Sequence, residues 1–184
     1  AAIDEAFPEV KVTLHSADEV GSQIGEELKS DAFWSICIAL IGIILYVSVR
    51  FRFGFALGGV IALAHDALIT LGIYTVMGYQ VSLTTVAALL TIVGYSINDT
   101  IVIFDRIREE MNTDETTPFP QLVRRALNQT LSRTLLTTIS TLLPVSALYF
   151  FGGAAIHDFA LALFIGMLAG TYSTLFIAPG VMLL

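Results

Sequence analysis

The sequence predicts an all-α membrane protein, a five-span transmembrane helix bundle with a short extracytoplasmic N-terminal remnant. Two observations carry this. Of the 184 residues, 55% are hydrophobic and only 14% charged, and the mean hydropathy is +0.80, well above the usual range for a soluble domain. The apolar residues also fall in five long runs: 33–49, 53–77, 81–104, 131–151, and 159–182 continuing to Leu184. A helix needs about 20 mostly apolar residues to cross the hydrocarbon core, with a range of about 17 to 25, and each run qualifies. The runs are continuous rather than alternating, which argues against β-barrel strands, and a helix satisfies its own backbone hydrogen bonds in lipid.

Charge sets the expected orientation. The formal net charge is −7, yet 8 of the 16 acidic residues fall within the first 31 positions, so the acidity belongs to a tail. Lysine and arginine stay preferentially on the cytoplasmic side. Arg50 and Arg52 lie between the first two runs, and Arg106, Arg108, Arg124, Arg125 and Arg133 lie around the connection between the third and fourth. The other two connections, 78–80 and 152–158, carry neither Lys nor Arg. Five crossings with this alternation place the N-terminal tail outside and the C-terminus inside.

Residues 1–30 read as the remnant of an outer domain plus a lead-in helix, and residues 31–184 as the bundle. Val10, Val12 and Leu14 alternate with polar neighbours, which suggests a strand over 9–14, a turn over 15–18, and helix from Glu19 to Ser30. A lone strand is not stable, so it should pair within a larger domain, a disordered stub being the alternative. The start Ala1-Ala2-Ile3 has no initiator Met or signal pattern, and Leu184 ends inside an apolar run; both ends read as cut. Cys37 is the single cysteine and permits no intrachain disulfide. The polar connector 105–130 reads as a cytoplasmic loop, interrupted at Thr117-Pro118-Phe119-Pro120. Beyond it Leu122, Val123, Ala126 and Leu127 give a helix suited to lying at the membrane interface.

Asp66 is the most informative position, because it sits near the middle of the second run with apolar or small residues on both sides. A carboxylate at the bilayer centre is destabilising by about 2.5 kcal/mol or more, so such a residue is usually inward-facing and functional. Gly54, Gly58, Ala62, Asp66 and Thr70 form one i, i+4 stripe of the kind that marks close helix packing. Burial away from an opposite charge disfavours the charged carboxylate, which makes proton uptake and release possible. The competing reading is a permanently protonated Asp66 acting as interhelical glue. His65 is about 100 degrees away around the helix and need not share its pocket. In the third run, Asn98 and Asp99 bring an amide and a second carboxylate toward the cytoplasmic third, and Thr84, Ala88, Thr91 and Asp99 line one side with Gly94 and Asn98 beside it. The last run repeats Asp158, Ala162, Gly166, Gly170, Thr174 and Ala178 at four-residue spacing, a tight-packing signature. In the fourth, Thr134, Thr137, Thr138, Ser140 and Thr141 precede Pro144, which suggests a kink with hydroxyls on freed carbonyls. An intramembrane aspartyl protease would need Gly-x-Gly-Asp, which is absent around Asp99. No phosphate loop, zinc cluster or basic aromatic nucleic-acid surface is present either.

Ala64-His65-Asp66, the block from Gly94-Tyr95-Ser96-Ile97-Asn98-Asp99-Thr100 through Arg106 to Glu109, the segment Gln129 to Thr134, and Val20-Gly21 with Gly25-x-x-Leu28 together resemble the SecF family of protein-export membrane proteins. Ile97-Asn98-Asp99-Thr100 separates it from the related SecD block, which has Val-Asp-Ala-Asn. The resemblance implies a resistance-nodulation-division membrane fold, of whose six spans this chain holds spans two to six, in the bacterial cytoplasmic membrane. It implies SecD and the SecYEG channel as partners, YajC and YidC as further ones, a translocating preprotein as cargo, and lipid around the bundle. Protons would be the coupling ion, with no cofactor and no enzymatic activity. By the same resemblance Asp66 matches the family's functional membrane aspartate, Asp99 and Arg106 fall in its signature block, and the proton pathway draws on Asp66, Asp99, Asn98, Arg106 and His65. Gly58, Ala62, Gly166 and Gly170 are expected to pack helices. A small-molecule efflux transporter of the same superfamily and a purely structural scaffold are the alternatives.

Overall fold

The computed structural model describes residues 22–50 and 53–184; the strand expected over 9–14 lies outside them. Six α-helices follow in order: α1 (Ser22–Arg50), α2 (Phe53–Val76), α3 (Leu83–Thr113), α4 (Phe119–Phe151), α5 (Ala154–Tyr172) and, after a π-helical turn (Ser173–Ile177), α6 (Ala178–Met182). Among the described residues, four segments are long and apolar enough to cross a membrane: Gly54–Val76, Leu83–Thr113, Phe119–Phe151 and Ile156–Met182. Within α1, the stretch Trp34–Arg50 is apolar but shorter. Trp34, Ile38, Ile41, Leu45 and Val49 on it are exposed, as the lipid-facing side of an outer helix must be.

Local chemistry sets the ends of the helices. Gly78 adopts φ +86°, and the bonds Gly78 N–H to Thr75 O and Tyr79 N–H to Tyr74 O close a Schellman motif that stops α2. Ser82 then starts α3 with a capping box, exchanging side-chain and backbone bonds with Thr85. Pro120 sits in the first turn of α4, where its missing N–H is harmless.

The connector 105–130 differs from the sequence expectation. α3 continues to Thr113 and α4 starts at Phe119, which leaves only 114–118 outside a helix. The apolar face expected to lie on the membrane surface is turned inward instead. Val123 and Ala126 pack with Ile103 and Ile107 of α3, so α3 and α4 form one helical hairpin. A facing apolar helix offers more burial than the lipid boundary does.

α5 is the central helix, packed against α2, α3 and α4. Among the described residues two apolar clusters make up the core, and α5 contributes to the second. One, toward the basic end of the bundle, includes Val47, Phe55, Leu63, Ile97, Phe104 and Ala178. The other, toward the Tyr79 end, includes Tyr74, Leu89, Ile92, Val145 and Met167. Between them on α2, α3 and α5 fall Asp66, Ser96 and Gly170.

Candidate proton site

Asp66 is fully buried, with 0% of its surface exposed, and three helices converge on it. Ser96 of α3, itself 1% exposed, donates its hydroxyl to Asp66 Oδ2 at 2.6 Å. His65 Nδ1 stands 3.1 Å from Oδ1. Gly170 of α5 brings bare backbone to the same place: a Cβ there would stand 3.5 Å from Asp66 Oδ2 and 3.3 Å from Ser96 Cβ. Thr70, one turn along, bonds the Asp66 carbonyl oxygen at 2.6 Å. No Lys or Arg is recorded against the carboxylate among the described residues. The carboxylate is therefore held by a neutral donor on one oxygen and an imidazole on the other.

Helix spacing left open whether His65 shares this pocket, and it does. Adjacent residues diverge by about 100 degrees on a helix, but the imidazole swings back along the chain and is only partly buried, at 27% side-chain exposure. It links the sealed carboxylate to a less enclosed surface beside Tyr172, whose ring centroid is 6.0 Å away.

Asp99 occupies a second site on α3. It is buried, accepts from Thr137 Oγ1 of α4 at 3.4 Å, and feels the positive charge of Arg133. Further hydroxyl pairs line the interior: Thr100 with Thr174 at 3.1 Å, Thr138 with Thr171 at 2.9 Å, and Tyr95 with Thr138 at 3.4 Å. Asn98, in contrast, is exposed, and so are Thr84, Thr91 and Gly94. The one polar face expected on α3 is thus two faces: Thr85, Ala88, Ser96, Asp99 and Thr100 turn inward, and Thr84, Ala87, Thr91, Gly94 and Asn98 turn away from the rest of the chain.

Arg106 lies apart from both aspartates, at the basic end. It bonds Gln129, Glu109 and Glu110, and Arg125 joins Glu110 to Asp114. Val102, Asp105, Arg106, Glu109, Gln129, Thr130 and Arg133 line an open groove of about 490 Å³ there. Asp114 closes the hairpin by accepting from Thr117 and Thr116 as well as Arg125, which holds its carboxyl well below the usual range. At the opposite end Tyr79, Tyr149 and His157 stack, and burial, reinforced by Tyr149 and Asp158, pushes the Tyr79 phenol up.

Gly58, Ala62, Gly166 and Gly170 are all buried. A Cβ on Gly58 would meet the Ala178 carbonyl oxygen at 2.6 Å, and one on Gly166 would overlap the Ile92 side chain. Gly54, the first residue of the α2 stripe, is exposed with open space around it. The α4 hydroxyls bond the carbonyls of Thr134 and Thr137 rather than that of Ser140, the carbonyl opposite Pro144, and α4 runs through Pro144 as one helix. Ser96, Thr137 and Arg133 are not among the site residues expected from sequence, although Arg133 reads there as a charge that sets orientation and Thr137 as a hydroxyl before Pro144. No group of three His, Cys, Asp or Glu is arranged to hold a metal ion among the described residues.

The profile of the family described as protein export membrane protein SecD/SecF, C-terminal, matches residues 2–184. A SecDF translocase subunit of Thermus thermophilus is 48% identical over 92% of this chain and 23% of its own length. A SecF translocase subunit of Thermodesulfovibrio yellowstonii is 42% identical over 100% of this chain and 62% of its own. The crystal structure of SecDF from Thermus thermophilus, described as a translocon-associated membrane protein, superposes with a TM-score of 0.91 at 45% identity, covering 99% of this chain and 26% of that one. The chain thus spans less than two thirds of these relatives. With its helical membrane bundle, and matched over nearly its whole length, the chain belongs to the SecD/SecF C-terminal family of protein-export membrane proteins.

Proposed function

We propose that this bundle is the proton-handling membrane portion of an accessory subunit of the Sec translocase, working with a SecD partner beside the SecYEG channel to drive preprotein export. The observation that carries it is Asp66: a carboxylate fully enclosed in mid-span, held by Ser96 and reached through His65. A carboxylate enclosed within a membrane span is unfavourable unless it serves a function, and one beside an imidazole is placed to exchange a proton with it. Asp99, bonded by Thr137 and one turn from Ser96 along α3, supplies a second station toward the basic end. Protons are the coupling ion in this reading, and the basic end is cytoplasmic.

The outward face of α3 supports the partner. Thr84, Ala87, Thr91, Gly94 and Asn98 alternate at three and four residues, the spacing of a helix-packing seam. An amide facing hydrocarbon is unfavourable, so this seam takes a second membrane protein, and a SecD half fits. The test is Asp66→Asn in the full-length subunit with its SecD partner. Proton-dependent preprotein export should be lost while protein level and SecD association persist; normal export rejects the proposal.

A further inference from the structure

Ser96 stands against Asp66 with a specific geometry. It is 1% exposed, and its hydroxyl donates to Asp66 Oδ2 at 2.6 Å. A buried serine on a helix commonly folds its hydroxyl back onto its own backbone carbonyl, three or four residues earlier. Thr70, Thr91, Thr130, Thr138, Thr141 and Thr171 all do so here. Ser96 does not; its hydroxyl crosses from α3 to α2.

That crossing is possible because Gly170 leaves the third side of the contact bare. A methyl group there would stand 3.3 Å from Ser96 Cβ and 3.4 Å from Ser96 Oγ, tighter than ordinary packing. The neighbours of the carboxylate are therefore few. His65 on α2 itself is the titratable group against it, α3 contributes the Ser96 hydroxyl, and α5 contributes Gly170, with the Tyr172 ring lying by His65.

We propose that Ser96 is the positioning residue of the Asp66 proton site: it fixes the carboxylate's orientation and sets its preference between charged and protonated forms. A hydroxyl both donates and accepts. It donates to the ionised Asp66 and can accept from the protonated one, so either state keeps a partner at Oδ2 while the other oxygen stays turned to His65. The bond to the ionised form is the stronger of the two because it is charge-assisted, so loss of the hydroxyl disfavours the charged form and leaves the exchange through His65 in place. The proposal rests on Asp66 being the proton site.

The experiment uses the full-length subunit with its SecD partner in inverted membrane vesicles and follows proton-driven export of a reporter preprotein against pH. Ser96→Ala should move the pH of half-maximal export by about one unit or more, the size expected from a hydrogen bond to a charged group. Ser96→Thr, which keeps the hydroxyl, should restore the original profile. If Ser96→Ala does not accumulate, Ser96→Cys, with its weak donor, replaces it and should shift the profile the same way. A profile superimposable on the unmodified protein, with Asp66→Asn still abolishing export, overturns the role of Ser96 and leaves the Asp66 reading standing. Normal export by Asp66→Asn overturns both.

Discussion

Gly166 of α5 lies directly against Ile92 of α3, so close that any Cβ at 166 would overlap the Ile92 side chain. Ile92 is 1% exposed and has little room to yield. Gly166→Ala should therefore destabilise the bundle by about 1 to 3 kcal/mol, more than any gain in helix propensity returns. Gly72 of α2 is exposed with open space around it. Gly72→Ala should be neutral or stabilising by about 0.5 to 1 kcal/mol. Unfolding of both variants in mixed detergent micelles gives the comparison; equal effects at the two sites would refute the packing argument.

Gly58 faces a harder neighbour. The atom a Cβ would meet is the backbone carbonyl oxygen of Ala178, at 2.6 Å, and a carbonyl does not rotate away. Gly58→Ala should separate α2 from α6, with a loss of roughly 2 kcal/mol or more, measured by the same unfolding titration. Gly54→Ala, one turn earlier and unobstructed, serves as the control.

Glu110 links the two arms of the α3–α4 hairpin, accepting from Arg106 at 3.2 Å and from Arg125 at 3.2 Å. Arg125 is about half exposed, which weakens its share. A double-mutant cycle of Glu110→Gln with Arg125→Gln should give a coupling of about 1 kcal/mol that shrinks in 1 M salt. A coupling near zero at low salt would count the pair as incidental.

These tests probe contacts that were legible in the sequence to very different degrees. The spans were visible because lipid demands length and apolarity together, and the α5 stripe was visible because four-residue spacing of Gly166 and Gly170 has few other uses. The rotation of α3 about its axis was not. Asn98 and Asp99 are neighbours in one polar block, and only the packing of α3 against α2 and α5 decides that Asp99 faces in and Asn98 out. Ser96 was hidden for the same reason: its importance lies in a bond to a residue 30 positions away. The hairpin was misread because an apolar stripe next to arginines looks the same whether it rests on lipid or on Ile103 and Ile107.

Orientation can be read directly. With Cys37 replaced by Ala, a cysteine at Gln80 should react with a membrane-impermeant maleimide in intact cells, and one at Glu115 only after permeabilisation. Labelling of Glu115→Cys in intact cells would invert the proposed orientation.

The hairpin tip carries a pH dependence whose sign follows from Asp114. Its carboxyl accepts from the Thr117 hydroxyl at 2.7 Å, the Thr116 hydroxyl at 2.9 Å and Arg125 at 3.3 Å, and the two threonine bonds, led by Thr117, depress its affinity for protons in the folded state. A depressed carboxyl contributes stability above the unfolded-state value, about 3.9, and loses it as pH falls from there through the lower folded-state value. Thermal unfolding in detergent should therefore show a stability loss below about pH 4 that Asp114→Asn removes in part. Because the neutral amide can accept from one threonine but carries no charge for Arg125, that variant should also be less stable than the unmodified protein at pH 7. Parallel pH profiles for the two proteins would mean that Asp114 is ordinarily solvated and that the turn is held by Pro118 and Pro120 instead.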